Sequence, residues 1–207
     1  LIRVLYSGIS VGTEGWNLKG KYKGVTYPLV TGYEHCGVVE KVGSAVTGLE
    51  EGQLVFNRSS RLLGDVRSMW AGHVSHAVVS ADQVIPVPAG VKAEEASFGV
   101  MPGVPWRGIQ MTRIFNGDLV VVIELGLVGQ CAAQLACIQG AKVIALEVLD
   151  KRCAIAEKVS GAIVLDPRKD DVEGCIRSLK PGGADVIIDT SANQTVVNQS
   201  FEWIRRE

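Results

Sequence analysis

From residue 118 onward the chain repeats one pattern, a near-continuous apolar run followed by a helical stretch. The runs are LVVVIEL, KVIALEV and ADVIIDT. Apolar residues without alternation are what a strand needs when a parallel sheet buries both of its faces. Between the runs lie GQCAAQLACIQG, DKRCAIAEKVSG and KDDVEGCIRSLKPGG, whose apolar residues recur at helical spacing. Strand–helix–strand order predicts a parallel sheet joined by right-handed crossovers. An α/β unit is therefore expected over residues 111–207.

Residues 1–89 have another texture, rich in glycine and valine with short alternating runs. GVVEKVG and HAVVSADQVIPVP predict short strands joined by turns, and hence a small all-β unit. AEEASFG then starts a helical stretch that MPGVPW interrupts with two prolines. The first domain is expected over residues 1–110. At 207 residues and 47% hydrophobic the chain can bury one or two cores. A net charge of −1 gives no bulk attraction to nucleic acid or to an anionic membrane. No apolar run reaches the roughly 20 residues that span a bilayer, and the first residues lack the layout of a signal peptide. They also lack an initiator methionine, so a longer natural chain is expected. Five scattered cysteines predict reduced thiols and a cytoplasmic location.

The stretch VVVIELGLVGQ, residues 120–130, carries the sharpest signal. A dinucleotide-binding turn uses one glycine for the tight turn, a second to let backbone approach the pyrophosphate, and a third to pack helix on strand. Gly126 and Gly129 fill the second and third places, and Glu124 stands in the first. Gly126, Leu127, Val128 and Gly129 are expected to hold a pyrophosphate at a helix N-terminus. Glu147 closes the next strand, where an acid accepts from ribose hydroxyls and repels a 2′-phosphate, favouring NAD over NADP. Arg152 is read either as stacking on adenine or as a solvated helix charge. Glu124 is expected to weaken the site through bulk and like charge without closing it.

These segments together resemble the medium-chain dehydrogenase/reductases of the zinc-type alcohol dehydrogenase superfamily, over nearly the whole chain. LIRVLYSGISVGTE is similar to the family's first catalytic-domain strand and metal-holding loop. YPLVTGYEHCGVVEKVG resembles its Pro-x-x-x-Gly-His-Glu-x-x-Gly signature, and GLEEGQLVF its Gly-Asp-x-Val segment. The resemblance implies a GroES-like β-barrel domain, a Rossmann domain, and hydride transfer between NAD(P) and a carbonyl, alcohol or activated alkene. It also implies a small-molecule substrate, and a homo-oligomer is expected. About four of the family's six cofactor-domain strands are present, so the Rossmann sheet is expected to be incomplete and its last strand to keep an open edge.

Departures from the family narrow the chemistry. Ser10 and Tyr33 stand where metal-binding members place cysteine and histidine, and no C-x2-C occurs. A catalytic zinc needs three protein ligands of Cys, His or carboxylate type, so no zinc is expected. Thr13 matches the family's proton-relaying hydroxyl; its plainer reading is a turn hydroxyl. Tyr33 is a phenol able to donate to a carbonyl oxygen, or an ordinary strand residue. Glu34 matches the signature's acid, and with Glu14 it is expected either to pair across the site floor or to hold its loops. Thr190 and Ser191, after the fourth strand, are expected beside the cofactor. His73 and His76 fall on opposite faces of a strand-like run and read as surface or packing residues. The cysteines read as small hydrophobes. A cofactor-poor scaffold protein is the alternative to the enzyme.

Overall fold

The protein is described from a computed structural model, which covers residues 1–62 and 64–205. The chain divides into two compact units, Leu1–Val100 and Met101–Glu207. The division falls ten residues before the expected one, because the helix that follows MPG packs against the helix after the glycine turn.

The first unit contains β1 (Ile2–Ser7), α1 (Val11–Leu18), β2 (Leu29–Val30), β3 (His35–Val39), β4 (Leu54–Asn57), β5 (Arg67–Ser68), β6 (His76–Ala77), β7 (Ile85–Pro86) and α2 (Ala93–Ala96). Five strands form an antiparallel sheet in the order β6-β1-β3-β4-β7, and β2 pairs with β5. Ile2, Val39, Val55 and Ala77 form its core. The expectation of an all-β unit fails at α1. Its sequence, VGTEGWNL, has two interior glycines, each costing a helix roughly 1 kcal/mol. Local propensity therefore hides a helix held by tertiary contacts of the buried Glu14 and Asn17.

The second unit contains α3 (Gly103–Thr112), β8 (Leu119–Ile123), α4 (Leu127–Ile138), β9 (Lys142–Leu146), α5 (Asp150–Val159), β10 (Ile163–Leu165), α6 (Val172–Leu179), β11 (Val186–Asp189) and α7 (Gln194–Ser200). Its strands are parallel in the order β10-β9-β8-β11. Numbered within this sheet, that is 3-2-1-4, the first part of the dinucleotide-binding order. Val120, Val122, Val143 and Ala145 pack with Ala132, Ala133 and Ala136 of α4 on one face. Leu119, Val121, Ile123, Ile144 and Leu146 pack with Ile176 of α6 and Trp203 on the other. Alternate residues of one strand thus enter opposite cores, which is why these strands read as unbroken apolar runs. Beside β11 the edge is not wholly open. Ala184 bridges Ile204 in parallel, and Arg205 N–H donates to the Ala184 carbonyl.

Candidate functional site

Strand β8 leaves the sheet at Ile123, and the next residue, Glu124, takes a left-handed backbone with φ 66°. That conformation costs an L-residue about 1–2 kcal/mol and glycine almost nothing, which is the physical reason the motif calls for glycine here. Gly126 then caps α4. A Cβ on Gly129 would sit 1.9 Å from the Glu124 carbonyl oxygen and 3.0 Å from Thr190 Oγ1. Only glycine lets α4 come this close to the turn. Around Gly126 the space is open, its nearest neighbour being Glu124 Oε1 at 3.6 Å from a Cβ placed there. A diphosphate can approach that backbone, with the positive end of α4 behind it. The residues present fit a dinucleotide.

The Glu124 carboxylate does not act as the lone charge that the sequence predicts. Arg152 Nη1 donates to its Oε1 at 3.0 Å and to Glu147 Oε2 at 3.2 Å. Arg152 thus bridges two acids, Glu124 first and Glu147 second, which raise its pKa. Glu147 is 3% exposed. Its Oε2 also accepts Leu125 N–H at 2.9 Å, and its Oε1 accepts the N–H groups of Val148 and Leu149 at 2.7 and 3.0 Å. Burial pushes the Glu147 pKa up, but these three N–H groups and Arg152 outweigh it and hold the carboxyl below the usual range. All four acceptor positions of that carboxylate are filled, so a ribose hydroxyl must displace one donor.

A cavity of about 310 Å³ opens at the C-terminal ends of these strands, lined among others by Glu124, Glu147, Arg168, Ser191, Asn193 and Trp203. Its size suits a small ligand, and this end of a doubly wound sheet is where ligands bind. Ser191 donates to Asp189 Oδ1 at 2.7 Å, and Thr190 donates to the carbonyls of Ile123 and Glu124, both at 2.9 Å. Thr190 therefore ties the turn to β11, while Ser191 faces the cavity. Leu127 and Val128 form the first turn of α4.

A second constellation lies wholly within the first unit. Glu14, on α1, accepts Ser10 N–H at 2.9 Å and the Thr31 hydroxyl at 3.4 Å. His73 Nε2 lies 2.5 Å from Glu14 Oε2, and His73 Nδ1 lies 2.9 Å from Ser7 Oγ. With Nε2–H donating to the carboxylate, Nδ1 accepts from the Ser7 hydroxyl. A carboxylate that orients an imidazole against a hydroxyl can pass a proton along the line. In sequence His73 reads as a packing or surface residue, and Ser7 carries no motif signal. The only signal available was a histidine in a glycine- and valine-rich run. His76 is exposed and lies 3.5 Å from Glu40.

Thr13 is half-buried on α1. Tyr33 stacks edge-on against Trp70, ring centroids 5.4 Å apart. Glu34 is fully buried and accepts Val100 N–H at 2.8 Å, with its carboxyl against Gly8. It holds a loop, while Glu14 is engaged by His73. His35 is fully buried without a hydrogen-bond partner for either ring nitrogen. Burial, then the nearby His73, lowers its pKa to about 4. Burial pushes the Cys36 thiol up. Among the described residues no three His, Cys, Asp or Glu side chains are grouped to hold a metal ion. A larger hollow of about 720 Å³, between residues 24–29 and 64–69, is lined by none of the expected site residues.

Comparison with known proteins follows the same division. Residues 1–89 match the family model described as the alcohol dehydrogenase GroES-like domain, and residues 128–207 match that described as zinc-binding dehydrogenase. An alcohol dehydrogenase of Geobacillus stearothermophilus is 25% identical over 98% of this chain and 64% of its own length. An L-threonine 3-dehydrogenase of Caldanaerobacter subterraneus subsp. tengcongensis is 28% identical over 96% of this chain and 62% of its own. The chain thus spans less than two thirds of these relatives. A Sinorhizobium meliloti 1021 protein, described as a zinc-binding dehydrogenase and solved bound to NADP, superposes with a TM-score of 0.83 at 25% identity, covering 99% of this chain and 66% of that one. No helix among the described residues is long and apolar enough to cross a membrane.

Proposed function

This chain belongs to the medium-chain dehydrogenase/reductases of the zinc-type alcohol dehydrogenase superfamily, and we propose on that premise that it is an NAD-dependent oxidoreductase working without catalytic zinc. The observation that carries the reading is the turn at residues 124–129. Its left-handed first residue and its Gly129, which no Cβ can replace, are the geometry of a pyrophosphate cradle. A bound nicotinamide cofactor supplies or accepts a hydride; the partner substrate is an alcohol, a carbonyl or an activated alkene.

The chain's own residues bind and move protons. Gly126, Leu127, Val128 and Gly129 hold the diphosphate, Glu147 and Arg152 meet the adenosine ribose, and Thr190 and Ser191 stand beside the cofactor. Thr13 and Tyr33 supply hydroxyls to the substrate oxygen, and Glu34 keeps its loop in place. Ser7, His73 and Glu14 give the proton a line of side chains along which to pass. The reading further places the protein in the cytoplasm, in keeping with five cysteines among which the described residues form no disulfide. It makes the protein a homo-oligomer, since large apolar side chains such as Leu18 and Ile138 stand exposed.

The alternative, a catalytically silent scaffold, draws on one observation: a fixed carboxylate lies beside Gly126. Titration with NADH separates the two. Energy transfer from tryptophan to bound NADH should saturate, with Trp203 at the cavity wall as donor. No transfer at any concentration favours the scaffold.

A further inference from the structure

Glu124 stands at a strained position. Its backbone is left-handed where glycine would be free of cost, and its carboxylate lies beside the N-terminus of α4, over Gly126. The contact that accounts for it there is Arg152, 3.0 Å away. That guanidinium uses the same nitrogen, Nη1, on Glu147. The three groups carry a formal net charge of −1, and both carboxylates converge on that one nitrogen. On the neighbouring loop, Arg168 forks onto Asp166 through Nε and Nη2, at 2.9 and 2.7 Å, and Lys169 pairs with Asp166 and Asp150. Arg168, which lines the cavity, and Arg152, whose two acids line it, are thus each already paired with acids.

An adenosine ribose reaches such a cavity in one of two forms. A diol needs neutral hydrogen-bonding partners. A 2′-phosphate carries about −1.5 to −2 charges near neutral pH and is held by an arginine fork. We propose that Glu124 is a specificity-determining residue: by holding Arg152 against Glu147 it withholds the guanidinium from a 2′-phosphate and confines the site to the unphosphorylated dinucleotide. The proposal rests on the cofactor reading above and extends it to the residue that sets cofactor choice. It differs from simple repulsion of the diphosphate, which both dinucleotides share and which would weaken both alike.

The experiment is a fluorescence titration of the 207-residue chain with NADH and with NADPH, read by energy transfer from tryptophan. Wild type, Glu124→Gln, Arg152→Gln and the double variant are compared at one ionic strength. Glutamine keeps the shape of residue 124 and removes its charge, and a thermal melt confirms that each variant is folded. The wild type should prefer NADH. Glu124→Gln should raise the NADPH-to-NADH affinity ratio by about tenfold, and the double variant should lose that gain because the released guanidinium is gone. A ratio unchanged in Glu124→Gln overturns the proposal, whether both affinities move together or neither moves. A gain that survives removal of Arg152 also overturns it. Absence of binding by the wild type to either nucleotide removes the cofactor reading, and the proposal with it. That outcome is told apart from the others because they require wild-type binding to NADH.

Discussion

Glu147 in the second unit and Glu14 in the first are both buried, and they are satisfied in opposite ways. Glu147 in the second unit takes three backbone N–H groups and one guanidinium, with Val148 and Leu149 its immediate neighbours in sequence. Glu14 in the first takes the hydroxyl of Thr31, 17 residues away, and the imidazole of His73, 59 residues away, besides the N–H of Ser10. The backbone donors around Glu147 come with the strand–turn–helix conformation itself. The side chains around Glu14 meet only because a sheet has brought distant loops together. The Glu147 site therefore depends on close backbone approach, and the Glu14 site on a network of polar side chains.

The sharpest way to break this comparison is the same substitution in both units. Gly129→Ala places a Cβ against a carbonyl oxygen that cannot move without shifting β8 or α4. It should cost about 3 kcal/mol or more, at the upper end for overpacking, and abolish saturable NADH binding. Gly15→Ala on α1 meets no atom within 4 Å and should stabilise the helix by up to about 1 kcal/mol. Urea unfolding of both variants checks the opposite signs; equal effects would erase the distinction.

The side-chain network is tested next. A double-mutant cycle on Glu14→Gln and His73→Ala should give a coupling of about 2 kcal/mol, the range for a hydrogen bond to a charged group. Coupling near zero would mean that the Ser7–His73–Glu14 line is not held together in solution.

Acid should separate the units through a smaller effect. His35 titrates near 6.5 when unfolded and near 4 when folded. Between these values the unfolded chain binds a proton that the folded chain refuses. Stability conferred by the neutral, buried ring is complete above about pH 6.5 and falls as pH drops toward 4. From about pH 7 to about pH 5 the loss should be roughly 2 kcal/mol, and His35→Leu should flatten that slope. Glu147 runs lower on the scale. Its folded pKa is held below 4.5, so its contribution persists above that value and disappears only as pH falls through the folded pKa. Urea midpoints at several pH values, for wild type and His35→Leu, measure the difference.

The smallest expected effect is at Glu124. Glu124→Gly relieves a left-handed backbone worth about 1 kcal/mol and removes a half-exposed ion pair worth up to about 1 kcal/mol. The two nearly cancel, and the melting temperature should move by no more than a few degrees. A large loss would show that the Arg152 bridge holds the turn together.

What was legible in the sequence is what backbone geometry imposes locally. Unbroken apolar runs marked β8, β9 and β11 because both sheet faces are covered, and the glycine spacing marked the tight turn into α4 because a Cβ on Gly129 would lie 1.9 Å from a carbonyl oxygen. The helix α1 stayed hidden, since its two glycines oppose it and buried Glu14 and Asn17 hold it from outside. The partners of charged side chains were equally out of reach. Residue 124 read as a lone negative charge until the fold set Arg152 3.0 Å from it, and His73 read as packing until β1 and α1 brought Ser7 and Glu14 to its two nitrogens. The strands, the turn and the helices of the second unit follow from each residue's own volume and dihedral preferences, which are written in the chain. A buried charge takes its meaning from the group that faces it, and that pairing exists only once distant segments have packed.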